Sequence, residues 1–161
     1  MREHGQVLSL DLLAALLVFV VILFFFQQSW SSNLEKWNQL RFTTELEERA
    51  ALSAELLAES PGFPANWSPV DVNMVGLATK PGILSPVKIN ALQVLDYNAV
   101  RQKLNLLAFQ FFLQIEAEKA PNPAVDWNFG VAPSASVDVA TVERKVLVQG
   151  IPSKLRFSLY R

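Results

Sequence analysis

Carboxylate side chains are the residues of this chain whose types and spacing come nearest to chemistry. Glu45, Glu47 and Glu48 form a cluster that could bind a cation, and Glu116 and Glu118 alternate along a later stretch. The cluster falls on an expected helix without an oxygen-rich loop, whereas calcium sites are built from such loops. A solvated helix face is therefore the favoured interpretation of the cluster. The later pair is expected on the outward face of one strand, where carboxylates serve solubility or protect a sheet edge from pairing with other chains.

The residue types that most enzymes need are scarce in this sequence. The chain has 161 residues with 0 cysteines and 1 histidine, His4. This excludes a disulfide scaffold, thiolate and multi-histidine metal sites, and a Ser-His-Asp triad in the body of the chain. Glycine-rich phosphate loops are absent as well. We therefore expect no catalytic residue, no metal and no cofactor, and we predict that the protein is not an enzyme.

Composition indicates that one part of the chain is strongly apolar. Hydrophobic residues make up 51% of the chain and charged residues 18%, against roughly 25% charged in average soluble domains. The formal net charge of −1 excludes a strongly basic nucleic-acid binder and an acidic disordered tail. The deficit of charge is local, because Leu12 to Phe26 contains no polar residue.

This apolar stretch is long enough to cross a membrane. Between Val7 and Phe26 only Ser9 and Asp11 are polar, and about 20 helical residues span the roughly 30 Å of a bilayer core. Three interpretations compete: a secretory signal peptide, a plain membrane anchor, and a helix that is retained after a short polar leader is cut off on the cytoplasmic side. A signal peptide needs a small-x-small cleavage site, and the residues from Phe24 to Trp30 offer none.

Asp11 distinguishes these interpretations. A carboxylate in a membrane helix costs up to ~2.5–3.5 kcal/mol at mid-bilayer and less near an end, so it tends to persist only with a partner. A retained helix offers one, the free amino group that cleavage creates on the same or a neighbouring subunit. The alternative is that Asp11 lies at the lipid–water interface.

The segment from Gly5 to Leu13 resembles the class III signal peptide of archaeal type IV pilins and pilin-like proteins. In that family a leader ending in Gly precedes Gln, and Ser and an acidic residue follow before the apolar run. Cleavage after Gly5 would expose Gln6 and make Asp11 the sixth residue, whereas the family usually has Glu fifth. Cleavage after Gln6 would restore the fifth position but leave Gln where the family has Gly.

The resemblance implies a structural role. The expected protein is a minor-pilin-like subunit of an archaeal type IV pilus-like surface filament, with the membrane, a prepilin-type leader peptidase and other pilin-like subunits as partners. The head domain would be extracytoplasmic, and no nucleic acid or small-molecule substrate is expected. The alternative is an unprocessed single-pass membrane protein that displays an extracellular binding domain.

Helix breakers are absent over a long stretch, which predicts one helix from about Leu8 to about Glu59, bent at 29–33 if anywhere. The predicted organisation is a leader (1–5), a transmembrane or assembly helix (6–33) and a head domain (34–161) that includes the upper half of the helix. In that upper half the apolar face should carry Phe42, Leu46, Ala50 and Leu57. The opposite face, the acidic stripe, comprises Glu45, Glu48, Leu52, Glu55 and Glu59. We expect this stripe to be solvated or, as the sharper alternative, to contact a partner subunit.

The rest of the chain predicts an α+β head, and the resemblance implies that this head is of the type IV pilin-like kind. After a short strand within 72–78, two short helices are expected over 86–95 and 97–104, capped by Ser85-Pro86 and Asp96. Alternating apolar residues then predict five strands, at 109–116, 125–131, 137–139, 142–148 and 155–160. A hairpin at 150–153 joins the last two. Short connections make the sheet mainly antiparallel.

A second run of residues, between Leu57 and Leu107, is similar to a series in uncharacterised archaeal pilin-like proteins. The series comprises Ser60-Pro61-Gly62, Asn66-Trp67, Gly76-Leu77-Ala78, Pro81-Gly82-Ile83-Leu84-Ser85, Lys88 and Tyr97. Asn66-Trp67-Ser68 also forms an N-glycosylation sequon, although Pro69 directly after it disfavours its use. Finally, Arg144, Lys145, Lys154 and Arg156 predict a basic region on the last hairpin, which could meet the acidic stripe of a neighbour or be solvated.

Overall fold

The computed structural model of the protein describes the backbone of residues 4–118, 126–134 and 137–161, and the side chains of these ranges except at 4–10, 31–36 and 38–39. The chain divides into two compact units, Met1–Phe42 and Thr43–Arg161.

The first helix, α1, runs from His4 to Glu59. This confirms the predicted long helix, and its length follows from the lack of Gly and Pro between Gly5 and Pro61. The last carbonyls of a helix have no partner within it, and here a loop supplies two. The backbone N–H of Leu77 donates to the Leu57 carbonyl (3.0 Å), and that of Gly82 donates to the Ala58 carbonyl (3.0 Å).

Two short helices follow a short hairpin and agree with prediction. The hairpin consists of β1 (Ala78–Lys80) and β2 (Ile83–Leu84), and the helices are α2 (Pro86–Val94) and α3 (Tyr97–Lys103). Pro86 occupies the first turn of α2, after an extended Ser85 whose side chain makes no capping bond. Asp96 caps α3 as predicted, because its side chain accepts a hydrogen bond from the Ala99 N–H at 2.9 Å.

Within the described residues, the sheet contains four longer strands besides the β1–β2 hairpin. These are β3 (Gln110–Ala117), β4 (Trp127–Gly130), β5 (Val139–Val148) and β6 (Ile151–Tyr160). The six strands lie in the order β1-β2-β5-β6-β3-β4. Four of the five pairings are antiparallel, and β2 pairs with β5 in parallel. The α+β class and the mainly antiparallel sheet are thus confirmed, whereas similarity to pilins stays a prediction.

Three predicted strand boundaries are wrong. Residues 72–77 form no regular strand, since β1 begins only at Ala78. The strand at 137–139 is not separate, because Val139 is the first residue of the ten-residue β5. The last hairpin turns at Gln149 and Gly150, whose φ angles are 52° and 79°, and Ile151 already pairs with Val148. Two consecutive left-handed residues are typical of the tight turn that joins antiparallel strands.

One face of the central strands forms the core of the head. Six of its residues on β3 and β6 are at most 2% exposed: Phe111, Leu113, Ile115, Leu155, Phe157 and Leu159. The predicted apolar face of α1 is buried too, at Leu46, Ala50 and Leu57, while Phe42 is half-buried. The opposite, outer face of the sheet carries the alternate residues, most of which are exposed or half-buried. The head therefore needs the upper half of α1 to complete its core.

Candidate functional site

None of the residues in the apolar part of α1, Asp11–Trp30, is buried in the structure. The segment Asp11–Trp30 is long and apolar enough to cross a membrane, with a mean hydropathy of 2.4, and 0% of it is buried. Leu12 is 73% exposed and Phe25 65%. Helices of signal sequences have the same length and composition, so this finding defines an apolar N-terminal helix and no more. Exposed apolar surface of this size normally marks contact with a membrane or with other proteins.

Asp11 lies at the N-terminal end of this segment and its side chain is exposed. With residues on the same side of the helix it lines a shallow groove of about 690 Å³, together with Ala14, Ala15, Val18, Phe19 and Ile22. No ion pair of Asp11 is present among the described side chains. The predicted leader ends at Gly5, and the predicted partner of Asp11 is the amino group created at Gln6. Both fall within residues 1–10, whose side chains are outside the described ones.

The acidic stripe is exposed, as predicted, at Glu45, Glu48, Leu52, Glu55 and Glu59. Glu45 accepts a hydrogen bond from Arg49 Nε at 2.8 Å, one helical turn away. Across the described residues, no group of three or more His, Asp or Glu side chains is arranged to hold a metal ion. Leu52, Glu55 and Glu59 instead line an open groove of about 360 Å³ on the helix surface.

Asn66, the candidate glycosylation residue, is exposed, but its sequon is engaged in a turn. The Ser68 N–H and hydroxyl both donate to Asp71 Oδ1, at 2.6 and 2.7 Å. These hydrogen bonds from Ser68 lower the pKa of Asp71. The indole N–H of Trp67 donates to the Gly76 carbonyl at 2.8 Å in the core. The sequon is therefore accessible at Asn66 and fixed at its other two residues.

Lys88 is a buried cation that the sequence did not single out for a structural role. It is 7% exposed, and its Nζ donates to the Pro61 carbonyl at 2.7 Å and the Ala78 carbonyl at 2.9 Å. Burial lowers the pKa of its ammonium group. The side chain thus ties α2 to the loop after α1 and to β1. Only its position among apolar residues of a short amphipathic helix, next to Ile89, hinted at burial.

Gly76 explains how tightly this loop is packed. A Cβ at Gly76 would lie 2.3 Å from the Ser60 carbonyl oxygen and 2.4 Å from the Gly62 nitrogen. No side chain fits at such distances, so the chain around 76 can approach the end of α1 only with glycine. The structure therefore brings together Ser60-Pro61-Gly62 and Gly76-Leu77-Ala78, two segments of the series quoted above.

The predicted basic region needs correction. Arg156 is neutralised by two carboxylates, Glu143 at 2.9 Å and Glu116 at 3.7 Å. Arg144 pairs in register with Leu155, a residue of the buried face, so it does not share the outer face with Lys145. Lys145 and Lys154 remain directly opposite each other on that outer face. The sequence pattern grouped the four by proximity along the hairpin, whereas the register places Arg144 on the opposite face from the other three.

Comparison with known proteins identifies no relative of this chain. No family model, no curated protein and no solved structure matches it.

Proposed function

We propose that the protein is a structural subunit, similar to a minor type IV pilin, of an archaeal surface filament. The observation that supports this most is the composition of α1. One part of this helix is an apolar segment without buried residues, and a later part contributes Leu46, Ala50 and Leu57 to the core of the head. A helix with both properties suits a subunit whose apolar segment packs in a membrane and then among other subunits.

In this proposal a prepilin-type peptidase removes residues 1–5, and the head domain lies outside the cytoplasm. The membrane and other pilin-like subunits are the partners, and the protein is a component of the cell surface rather than an enzyme. The second candidate is an unprocessed single-pass membrane protein that displays a binding domain. The exposed apolar segment fits both, but the Gly5-Gln6 pair before that segment and the position of Asp11 favour the first.

Asp11 gives the proposal a physical requirement. In an assembled filament the first residues of one subunit lie beside the apolar helices of others, where an unpaired carboxylate is costly. The amino group of Gln6 lies about one and a half helical turns from Asp11 in the same chain, so an adjacent subunit's amino group is the better partner. In a simple anchor, Asp11 would have no such partner and need none.

The replacement Asp11→Ala tests this requirement. We expect membrane insertion to be unchanged or slightly better, because a costly charge is removed. We expect the yield of filaments sheared from cells to fall about tenfold or more, because the charge pair that sets subunit register is lost. The measurement is filament yield at matched amounts of membrane-bound protein.

A matched control is Ser9→Ala, which removes a polar side chain from the same end of the helix without removing a charge. This variant should assemble like the wild type. Unchanged assembly of Asp11→Ala with normal processing would show that Asp11 is merely interfacial. Absence of filaments from the wild type as well would favour the second candidate.

A further inference from the structure

The outer face of the sheet carries an apolar row flanked by lysines. Ile83 pairs in register with Leu147, which pairs with Pro152, so the three lie side by side across β2, β5 and β6. Ile83 is 37% exposed and Leu147 39%. Next to this row, Lys145 pairs with Lys154. Lys80 pairs with Ile83 from β1, so it lies at the β1 end of the row, and its side chain is exposed.

Five of the outer-face residues form a lysine patch, and one carboxylate of the described head, Glu116 on β3, lies in register opposite Lys154 and is ion-paired with Arg156. The patch comprises Lys80, Ile83, Lys145, Leu147 and Lys154. Within the described part of the chain none of its lysines forms an ion pair, although Arg156 nearby has two carboxylate partners. Like charges directly opposite on neighbouring strands destabilise a sheet. A negatively charged partner at Lys145 and Lys154 would relieve that repulsion.

The acidic stripe of α1 has the complementary composition. Leu52, 59% exposed, is its apolar centre, and Glu48, Glu55 and Glu59 surround it along the helix. Of the stripe's glutamates, Glu45 alone has an ion-pair partner among the described residues, Arg49. The open groove beside Leu52 and Leu56, bounded by Glu55 and Glu59, can receive apolar side chains. The lysine patch thus has three lysines around two apolar residues. The acidic stripe has three glutamates around one apolar residue, Leu52.

We propose that the acidic stripe of one copy binds the lysine patch of the next copy. The stripe lies on the exposed face of α1, opposite the residues that α1 buries in the core. The lysine patch lies on the outer face of the sheet, opposite the buried faces of β5 and β6. Both surfaces therefore point away from the same core, so that each copy offers them to two different neighbours.

Such a contact joins two different surfaces and is heterologous. Heterologous contacts form rings when the rotation between copies closes and open chains when it does not. The inference rests on the proposed function in that it names a second copy as the partner. It adds to that function a contact between heads, separate from any contact between apolar helices. Because it depends on exposed charges, it should weaken as salt rises.

Introduced cysteines test the contact, because the chain has 0 cysteines of its own. The full chain carrying Leu52→Cys and Leu147→Cys is produced in cells, and native membranes are treated with a mild oxidant. Disulfide formation between copies should give a ladder of dimers, trimers and larger species on a non-reducing gel. A mixture of the two single variants should give a dimer and no ladder, since each copy then has one cysteine.

The matched control pairs Leu52→Cys with Val70→Cys. Val70 is 96% exposed but lies outside the lysine patch, so random collision would cross-link it at least as well as Leu147. We expect the Leu147 pair to form at least about tenfold more cross-linked product than this control. Equal yields, or no product from Leu52→Cys with Leu147→Cys, would overturn the contact.

A charge exchange adds a readout that does not depend on the cysteines' own geometry. In the Leu52→Cys, Leu147→Cys background, Lys145→Glu with Lys154→Glu should lower the cross-linked fraction about tenfold. Adding Glu55→Lys and Glu59→Lys should restore most of it, and failure of this rescue would contradict the proposed pairing. Sheared-filament yield is scored in parallel. Filaments without cross-links would refute this contact and leave the proposed function standing, whereas cross-linked chains without filaments would refute the function alone.

Discussion

Leu16 and Leu57 lie in the same helix, but 62% of Leu16 is exposed and only 1% of Leu57. The difference follows from the pattern around each residue. Between Leu12 and Phe26 every residue is apolar, so no face of the helix is distinguished and none is buried. Around Leu57, glutamates occupy one face and the buried residues the other, which is the pattern of a helix on the surface of a folded domain.

The comparison separates two kinds of apolar sequence. An amphipathic segment finds its partner within the chain, and here its partner is the core of the head. A segment that is apolar all round must find its apolar surroundings elsewhere, in a lipid bilayer or against other helices. Asp11 belongs to this second kind of segment. We therefore expect changes in the upper half of α1 to act on folding and changes in the lower half to act on insertion or assembly.

Deletions should show the largest difference between the two parts of α1. A chain that begins at Ser32 lacks the apolar segment and keeps the buried residues of α1, so it should unfold cooperatively. A chain that begins at Ser60 lacks Leu46, Ala50 and Leu57 and should aggregate or remain molten, because the core face of the sheet is left uncovered. Denaturant unfolding followed by circular dichroism distinguishes the two. Equal stability of the two chains would show that the helix is not part of the core.

Single substitutions distinguish the buried face of the upper half of α1 from its exposed face. Leu57→Ala should lower the free energy of unfolding by about 2–5 kcal/mol, because it leaves a cavity in a packed core. Leu52→Ala, five residues earlier on the exposed face, should change it by less than about 0.5 kcal/mol. Denaturant titration of the full chain in detergent micelles measures both. Similar losses for the two variants would mean that the burial of this helix is misassigned.

Lys88→Met tests the tie that fixes the end of α1. The variant keeps the length of the side chain but leaves the Pro61 and Ala78 carbonyls without the ammonium donor. We expect a loss of about 1–3 kcal/mol in the free energy of unfolding, the usual cost of an unsatisfied buried polar group. The matched control is Lys80→Met, since Lys80 is exposed and its loss should cost less than about 0.5 kcal/mol. Equal losses in the two variants would show that the hydrogen bonds of Lys88 do not stabilise the head.

The lowered pKa of Lys88 also predicts how the stability difference between wild type and Lys88→Met changes with pH. Burial lowers the pKa of Lys88 in the folded chain below its ordinary value of 10.5, so the unfolded chain holds this proton more tightly. The free energy of unfolding should then rise with pH between the folded pKa and 10.5. The difference between wild type and Lys88→Met should therefore widen over that range. A difference that narrows would contradict the direction of the shift.

Local signals in the sequence were enough for the helices. The lack of Gly and Pro predicted the long α1 and its end at Glu59, although the helix begins at His4 rather than near Leu8. Asp96 predicted the start of α3, because a side-chain cap acts over three residues. The acidic and buried faces of α1 followed from helical period alone. The alternation in β3 and β6 was equally clear, because each strand has one buried face.

Features that depend on distant residues could not be predicted. The parallel pairing of β2 with β5 joins residues more than 60 positions apart, and it alone creates the apolar row of Ile83 and Leu147. Likewise, the position of Lys88 between two carbonyls depends on loops that converge only in the folded head. For the candidate site, the sequence identified Asp11 and Asn66, both exposed in the structure. The predicted partner of Asp11 is on another subunit, so no single chain can reveal it.

The first residue of the mature chain distinguishes a processed filament subunit from an unprocessed membrane protein. Intact mass and N-terminal peptides of the protein extracted from native membranes give the first residue without assumptions about assembly. We expect the mature chain to begin at Gln6, with the apolar segment and Asp11 retained. A start at Val7 would also be leader removal and would make Asp11 the fifth residue. Membrane-bound protein that keeps Met1 would contradict the filament proposal.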